Sequence, residues 1–164
     1  MKKILLLACF ATSTLMLKAQ SFTLTELVNM VKMNVDDFDT YVSNKGYKYF
    51  KPFDNEDGST KGSQYAYKQS GDGKASRFVG LHYEYFIPSD KNVVFQTSQL
   101  LEYQKIKNQI KSLGFKYVET ENFNGKTFMD YENGKFKLTI VLYQAENDLG
   151  EMISNYEISI TYHT

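Results

Sequence analysis

The spacing of apolar residues predicts two helices soon after residue 20. Thr23 and Glu26 have the spacing of a capping box, and apolar positions follow at helical intervals, at Leu24, Leu27, Val28 and Val31. Asn34 can cap a second helix, whose first turn contains Asp36 and Asp37, because the helix dipole favours acids there. We expect this second helix to present one inner face, formed by Val35, Phe38 and Val42.

A third helix is predicted over residues 99–112, with Ser98 as its cap. Its apolar positions form one stripe, made of Leu100, Leu101, Tyr103, Ile106, Ile110 and Leu113, and its other face carries lysine, glutamate and glutamine. The second and third helices are followed by Gly46 and Gly114, which can adopt the left-handed conformation that ends a helix.

The apolar period shortens from about 3.6 residues to 2 after each of these glycines, which indicates strands. We predict eight of them, at 47–52, 64–69, 77–87, 92–97, 115–121, 126–132, 135–144 and 155–162. Asn124-Gly125 and Asn133-Gly134 are predicted hairpin turns, with Asp72-Gly73 as a third candidate, because these dipeptides tolerate positive φ. The polar segments 53–62 and 145–154 are interpreted as longer surface loops.

Two segments, 44–49 and 112–117, share the order Gly, aromatic, Lys, Tyr and lie 68 residues apart. Each follows a predicted helix and precedes predicted strands, so the chain is interpreted as a supersecondary unit that occurs twice. The predicted fold class is α+β, with two tandem α-ββββ repeats over about 23–97 and 98–164. Residues 20–164 would then form one domain, with an antiparallel sheet and helices packed on one of its faces.

Alternation along the last two strands predicts which face of the sheet meets the helices. One set of alternate residues is apolar or aromatic and should pack under the helices: Phe136, Leu138, Ile140, Leu142, Tyr156, Ile158, Ile160 and Tyr162. The opposite face should be open to solvent, with hydroxyl groups and aromatic rings but few long apolar chains. We predict a binding surface there, made of Lys137, Thr139, Tyr143, Glu157, Ser159 and Thr161, with His163 on the same face.

The arrangement of two successive helix-then-four-strand units, with the shared Gly-aromatic-Lys-Tyr segment at 46–49 and 114–117, resembles the tandem-repeat fold of the β-lactamase inhibitor proteins. It is similar, more loosely, to the small helix-plus-sheet accessory lipoproteins of outer-membrane assembly. The resemblance covers most of the chain after residue 19 and implies a fold. It assigns no functional residue, and it leaves the class of target open.

The N-terminal residues have the pattern of an export signal. Lys2 and Lys3 precede an apolar run that ends near Leu17, and Ala19 is a small residue before a polar stretch. We predict cleavage after Ala19 and a periplasmic or secreted protein. The alternative is a lipobox ending at Cys9, which would leave an apolar segment shorter than the roughly 7 to 15 residues of a signal-peptide core.

Composition narrows the classes of function for the segment after this leader. The leader holds the only cysteine, Cys9, so the remaining chain would have no disulfide, thiolate metal site or cysteine nucleophile. The whole chain has 19 Lys+Arg and 19 Asp+Glu, and three of the lysines lie in the leader, which leaves a net charge of −3. Arg77 is the only arginine and the lysines are scattered among acids, so the pattern excludes a nucleic-acid binder. We also expect no membrane span, because no later segment approaches about 18 consecutive apolar residues.

Two groups of residues could bind a metal. His82 and Glu84 share one face of a predicted strand, and with His163 they could hold zinc or supply a general base. We favour a polar pair on the exposed face of the sheet. The acidic segment 54–58 could bind calcium, but an EF-hand frame would place Phe53 and Gln64 at carboxylate positions, so a solvated turn is favoured. We therefore expect no cofactor and no metal.

The sequence contains 13 Tyr and 12 Phe and no Trp, which favours sheet. Three pairs of tyrosines share strand faces, Tyr47 with Tyr49, Tyr65 with Tyr67 and Tyr83 with Tyr85, and form either core rows or a contact platform. The sequence lacks nucleophile-elbow, paired-histidine and phosphate-loop motifs, so we expect no enzyme. The favoured hypothesis is a module that binds an envelope or secreted protein; the alternatives are an envelope structural or assembly factor and a carrier of a small apolar ligand.

Overall fold

A computed structural model describes residues 21–54, 60–68, 75–84, 90–147 and 150–163. Within these residues the chain forms three helices and eight strands, which confirms the predicted α+β class. The helices are α1 Leu24–Met30, α2 Val35–Asn44 and α3 Leu100–Lys107. The strands are β1 Lys48–Asp54, β2 Thr60–Tyr67, β3 Arg77–Glu84, β4 Lys91–Thr97, β5 Lys116–Phe123, β6 Lys126–Asn133, β7 Phe136–Glu146 and β8 Met152–Tyr162. None of the helices in these ranges has the length and apolar character needed to cross a membrane.

The first two helices begin where their capping residues predict. The Glu26 backbone N–H donates to Thr23 Oγ1 at 3.2 Å, and the Thr23 N–H donates to Glu26 Oε2 at 2.7 Å, which completes the capping box. In α2 the side-chain oxygen of Asn34 accepts from the Asp37 N–H at 2.8 Å. Gly46 and Gly114 have φ values of +86° and +78°, as expected for residues that end a helical segment.

The eight strands form one antiparallel sheet in the order β1-β2-β3-β4-β8-β7-β6-β5. β1 to β4 are neighbours in chain order, and so are β5 to β8. The two sets meet at the centre of the sheet, where β4 pairs with β8 over residues such as Val93 with Ile160 and Phe95 with Ile158. β1 and β5 are therefore the edge strands.

Two predicted hairpins are present, and the turn of the second lies one residue later than predicted. The β5–β6 turn is Asn124-Gly125, with φ values of 49° and 73°. The β6–β7 turn contains Gly134 and Lys135 instead of Asn133-Gly134, because Asn133 pairs with Phe136 and its side chain donates to the Leu113 carbonyl at 2.6 Å. The Asp72-Gly73 turn lies outside the described residues.

The predicted loops 53–62 and 145–154 both begin and end in strand. β1 continues to Asp54 and β2 begins at Thr60, and the β7–β8 ladder continues to the pair Glu146 with Met152. The prediction was wrong because it used side-chain polarity, whereas backbone pairing continues past the segment that has a buried face.

The helices pack on one face of the sheet, and the predicted apolar rows of β7 and β8 lie beneath them. Leu138, Ile140, Ile158 and Ile160 are fully buried, and Phe136, Leu142, Tyr156 and Tyr162 pack against the same core. The helices contribute their own buried residues to this core: Leu24, Leu27, Met30, Phe38, Val42, Tyr103 and Ile106. The facing predicted for these two strands is confirmed.

Three tyrosines of the first half belong to the core. Tyr47, Tyr65 and Tyr67 are buried, and the rings of Tyr47 and Tyr67 lie 5.3 Å apart. The rings of Tyr49 and Tyr65 lie 5.8 Å apart, but Tyr49 remains 56% exposed. Of the pair Tyr47 and Tyr49, only Tyr47 is therefore a core residue. Tyr85 lies outside the described residues.

The apolar stripe predicted for α3 is wrong at its beginning. Leu100 and Leu101 are 50% and 71% exposed, whereas Glu102 is buried beside Tyr103 and Ile106. Glu102 turns inward because it binds Arg77 of β3, and this sets the rotation of the helix. Val35 is also exposed, since it is the first residue of α2 and precedes the turn that packs on the sheet.

Ser98 is not the cap of α3. The helix starts after Gln99, which makes no side-chain capping bond, and the Gln99 N–H donates to Thr97 Oγ1 at 3.1 Å. The regular helix ends at Lys107, and turns continue to Gly114. The helix is therefore shorter than the predicted 99–112, although Ile110 lies in the core and Leu113 packs against it.

Candidate functional site

The face of the sheet opposite the helices, which we call the open face, contains three rows of side chains that cross all eight strands. The first row is Phe53, Gly62, His82, Asn92, Thr161, Lys137, Glu132 and Lys116. The second row is Lys51, Gln64, Gly80, Val94, Ser159, Thr139, Asp130 and Glu119. The third row is Lys48, Ala66, Phe78, Gln96, Glu157, Val141, Phe128 and Glu121.

All six residues of the predicted binding surface lie on the open face. The rows contain Lys137, Thr161, Thr139, Ser159 and Glu157, and Tyr143 pairs with Asn155 one step beyond the third row. The strand pairing therefore brings them together at the centre of the sheet and across β7. Their role in binding stays a prediction.

Hydrogen bonds connect polar side chains across the central β4–β8 pair. Asn92 Nδ2 donates to Thr161 Oγ1 at 3.3 Å, and Ser159 Oγ donates to Asn92 Oδ1 at 3.0 Å. Gln96 Nε2 donates to Glu157 Oε2 at 2.8 Å. These groups are held in fixed directions before any partner arrives, which lowers the ordering entropy that binding costs.

Asp130, Lys137 and Thr139 form a charged cluster on β6 and β7. Asp130 Oδ2 lies 2.7 Å from Lys137 Nζ, and Thr139 Oγ1 donates to Asp130 Oδ1 at 2.7 Å. Burial raises the pKa of Asp130, but the hydrogen bonds from Lys137 and Thr139 outweigh it and hold that pKa below its usual value. The hydrogen bond to Asp130 in turn raises the pKa of Lys137. Both groups are charged at neutral pH, and each offsets the charge of the other.

Tyr143 is half-buried, whereas the sequence predicts an exposed ring. Lys126 Nζ lies 5.0 Å above the ring centroid, and the ring borders an open cavity of about 620 Å³ shared with Leu142, Met152 and Tyr156. Burial, together with the negative charge of Glu157, raises the pKa of the Tyr143 hydroxyl. The hydroxyl therefore remains protonated and can donate a hydrogen bond to a partner.

The open face contains more apolar surface than the sequence predicts. Phe50, in the bulge of β1, contacts Phe78 with ring centroids 5.4 Å apart. Val94, Phe128 and Val141 also lie on this face, and Val141 is buried. The prediction considered only the last two strands and did not include Val141, which interrupts the polar series along β7.

His82 occupies a recess made by two glycines. A Cβ at Gly80 would come within 2.8 Å of His82 Nε2, and one at Gly62 within 2.9 Å of His82 Cδ2, so the ring fits only because both side chains are absent. The Phe53 ring stacks on the imidazole at 3.9 Å. The His82 side chain, which the sequence predicts to be exposed, is therefore half-buried, and the side chain of Glu84 lies outside the described residues.

The partial burial of the His82 ring determines its protonation state. Its Nε2 atom is buried and finds no hydrogen-bond partner within the described part of the chain. Burial lowers the pKa of the imidazole to about 4, so His82 is neutral near pH 7. His163, in contrast, is largely exposed and lies 3.3 Å from Asp90. No group of three or more His, Cys, Asp or Glu side chains within the described ranges could hold a metal, and most of the acidic loop 54–58 lies outside them.

Comparison with known proteins adds no assignment: neither a protein family, nor a curated protein, nor a solved structure matches this chain.

Proposed function

We propose that this chain is an exported, non-enzymatic module that recognises another envelope or secreted protein through the open face. The observation that carries the proposal is the combination of half-buried aromatic rings and pre-ordered polar groups on one broad surface. Tyr143, Phe78 and Phe50 offer contact area, and the Asn92–Ser159 and Gln96–Glu157 hydrogen bonds fix polar groups between them. Protein interfaces have this composition, with aromatic rings near polar groups whose directions are set.

We also propose that the chain consists of two tandem α-ββββ repeats. Gly46 and Gly114 both have positive φ, and the residues after them, Tyr47 and Phe115, are both buried. The bulges of β1 and β5 follow Tyr49 and Tyr117, which are again 68 residues apart. The strand order supports the same division, because two four-stranded meanders meet at their last strands. A duplication of this kind is compatible with the resemblance to the β-lactamase inhibitor proteins, which we retain as a proposal.

A carrier of a small apolar ligand is the second candidate. The cavity beside Tyr143 has a volume of about 620 Å³, which lies within the range of ligand pockets, and Leu142, Met152 and Tyr156 contribute apolar surface to it. Native mass spectrometry of the purified protein would show a bound small molecule if this candidate is correct. An envelope structural or assembly factor would use the open face in the same way as a binding module, and differs only in the identity of its partner.

Site-specific photo-crosslinking tests the proposed surface. A photoreactive phenylalanine analogue at Tyr143 should give one main adduct in envelope or secreted fractions, because that position lies on the open face. The same analogue at Lys111, an exposed position after α3, is the matched control and should give no such adduct. Equal adducts at both positions, or none at Tyr143, would reject the open face as the binding surface.

Export is tested separately by intact mass. A mature form that begins at Gln20 supports the predicted cleavage, whereas a lipid-modified form that begins at Cys9 would replace it with a membrane-anchored protein.

A further inference from the structure

The open face has opposite charges at its two edges. Among the described residues of β1 and β2, it carries Lys48 and Lys51 and no acidic side chain. On β5 and β6 it carries four acids, Glu119, Glu121, Asp130 and Glu132, against Lys116 and Lys126. Asp130 pairs with Lys137 of β7, and Glu132 lies between Lys137 and Lys116 in the first row. The acidic groups of the edge strand β5 are therefore Glu119 and Glu121, which are both exposed.

The charges have matching positions within the rows. Lys51 begins the second row and Glu119 ends it, while Lys48 begins the third row and Glu121 ends it. A twofold axis parallel to the strands and midway between β4 and β8 would reverse each row when a second copy is placed face to face. Lys51 would then lie over Glu119 of the second copy and Lys48 over its Glu121, and the symmetry would repeat both pairs.

The side chains between the two edges of each row are compatible with the same twofold axis. In the third row Ala66 would face Phe128 of the second copy, and Phe78 would face its Val141, so small and large apolar groups meet. Near the axis, Asn92 would face Thr161 of the second copy and Val94 its Ser159. Two sheets can stack in this way because side chains of facing sheets interdigitate when the strands are roughly aligned.

The available area is sufficient for a specific dimer. Eight strands at ~4.8 Å spacing and about seven residues per strand give a face of roughly 800 Å², the contribution of one partner to a standard interface. We propose that two copies of this chain associate face to face through their open faces, with Lys48 and Lys51 of each copy opposite Glu121 and Glu119 of the other. The interface is isologous and therefore closes at two subunits.

This proposal concerns the surface assigned above to partner binding but does not depend on that assignment. Self-association would cover the open face when no other partner is present, and a different protein would have to displace the second copy. A failure of self-association leaves the cross-linking test at Tyr143 unaffected. In that test, an adduct of twice the mass of the chain identifies a second copy, and any other mass identifies a different partner.

Charge reversal tests the proposed dimer. Sedimentation equilibrium at low salt measures the dissociation constant of the purified wild-type protein and of each variant. Lys48→Glu/Lys51→Glu makes both edges acidic, and Glu119→Lys/Glu121→Lys makes both basic, so each variant alone should dimerise at least about tenfold more weakly than the wild type. An equimolar mixture of the two variants should form a heterodimer, because both acidic edges of one variant then lie over the basic edges of the other. The variant with all four reversals should recover the homodimer.

The control reverses the same charge elsewhere. Lys105→Glu/Lys111→Glu alters exposed positions on and after α3 and should dimerise as the wild type does. All four open-face positions are exposed, so circular dichroism should show an unchanged fold for every variant. A wild-type protein that remains monomeric at about 100 μM would overturn the proposal. A dimer that is insensitive to the open-face reversals, or a mixture that fails to form the heterodimer, would overturn it as well.

Discussion

Arg77 of β3 and Glu102 of α3 form a largely buried bidentate ion pair. Arg77 Nη2 lies 2.6 Å from Glu102 Oε1, and Arg77 Nε lies 2.9 Å from Glu102 Oε2. The second oxygen also accepts a hydrogen bond from Thr97 Oγ1 at 2.7 Å. The side chains are 13% and 9% exposed, and Arg77 is the only arginine in the sequence. The pair connects the first four strands to the helix that precedes the last four.

Breaking this pair should destabilise the protein more than replacing it. Glu102→Gln leaves the Arg77 charge buried without a counter-ion, so we expect the free energy of unfolding to fall by about 3 kcal/mol. Arg77→Met/Glu102→Leu removes both charges and should stay within about 1 kcal/mol of the wild type. Urea unfolding of both variants measures the difference. A double variant less stable than Glu102→Gln would mean that the pair itself, and not the uncompensated charge, supplies the stability.

Stability should decrease below pH 6.5 because of His82. The imidazole has a pKa of about 4 when folded and about 6.5 when unfolded, so the unfolded chain binds the additional proton between these values. This contribution to stability is complete above pH 6.5 and is lost as the pH falls to 4. We expect a loss of about 2 to 3 kcal/mol across this range, measured by urea unfolding at several pH values.

Two histidine variants separate this effect from other acid-linked changes. His82→Gln should remove that part of the slope between pH 6.5 and 4, because glutamine does not titrate. His163→Gln, which alters a side chain that is 55% exposed, should retain it. The same slope in His82→Gln as in the wild type would show that other groups cause the pH dependence.

Ile140 and Tyr143, on opposite faces of β7, should respond differently to truncation. Ile140 is fully buried, so Ile140→Ala should lower the free energy of unfolding by about 2 to 5 kcal/mol. Tyr143 is half-buried on the open face, and Tyr143→Ala should lower it by only about 1 kcal/mol. Thermal or urea unfolding compares the two directly. Equal losses would mean that Tyr143 belongs to the folding core and is a poor candidate for partner contact.

Gly46 and Gly114 should tolerate substitution to a similar and limited extent. Alanine at either position must adopt positive φ, which costs about 1 to 2 kcal/mol. Steric contact adds little, because the nearest side-chain atoms, in Tyr67 and Asn133, would lie 3.5 Å from the new Cβ. Asparagine, which enters this conformation more readily, should cost less than alanine at both sites. Stability equal to wild type in either alanine variant would contradict the conformational requirement.

Features that depend on neighbouring residues in the sequence were predictable. The capping box of Thr23 and Glu26, the Asn34 cap and the glycine after each helical segment follow from local spacing, and the structure contains all of them. The facing of β7 and β8 was also predictable, since Leu138 and Ile140 alternate with polar residues and one face must be buried.

Features that depend on distant partners were not predictable. Glu102 is buried because Arg77 lies 25 residues away in the sequence, and this inward turn leaves Leu101 exposed despite its apolar character. His82 is half-buried, with its Nε2 atom covered, because Gly62 of the neighbouring strand and Gly80 of its own strand leave space for the ring. Strand pairing determines which glycines meet which side chain, and no local period contains that information.

The central position of β8 has a consequence for the order of events during synthesis. β4 can complete its pairing only with residues 156–162, near the C-terminal end of the sequence, although β4 itself ends at Thr97. Until those residues have been made, the first four strands expose the unpaired backbone edge of β4. An emerging chain would therefore remain incompletely folded, and its unpaired β4 edge calls for protection from aggregation until β8 has been made.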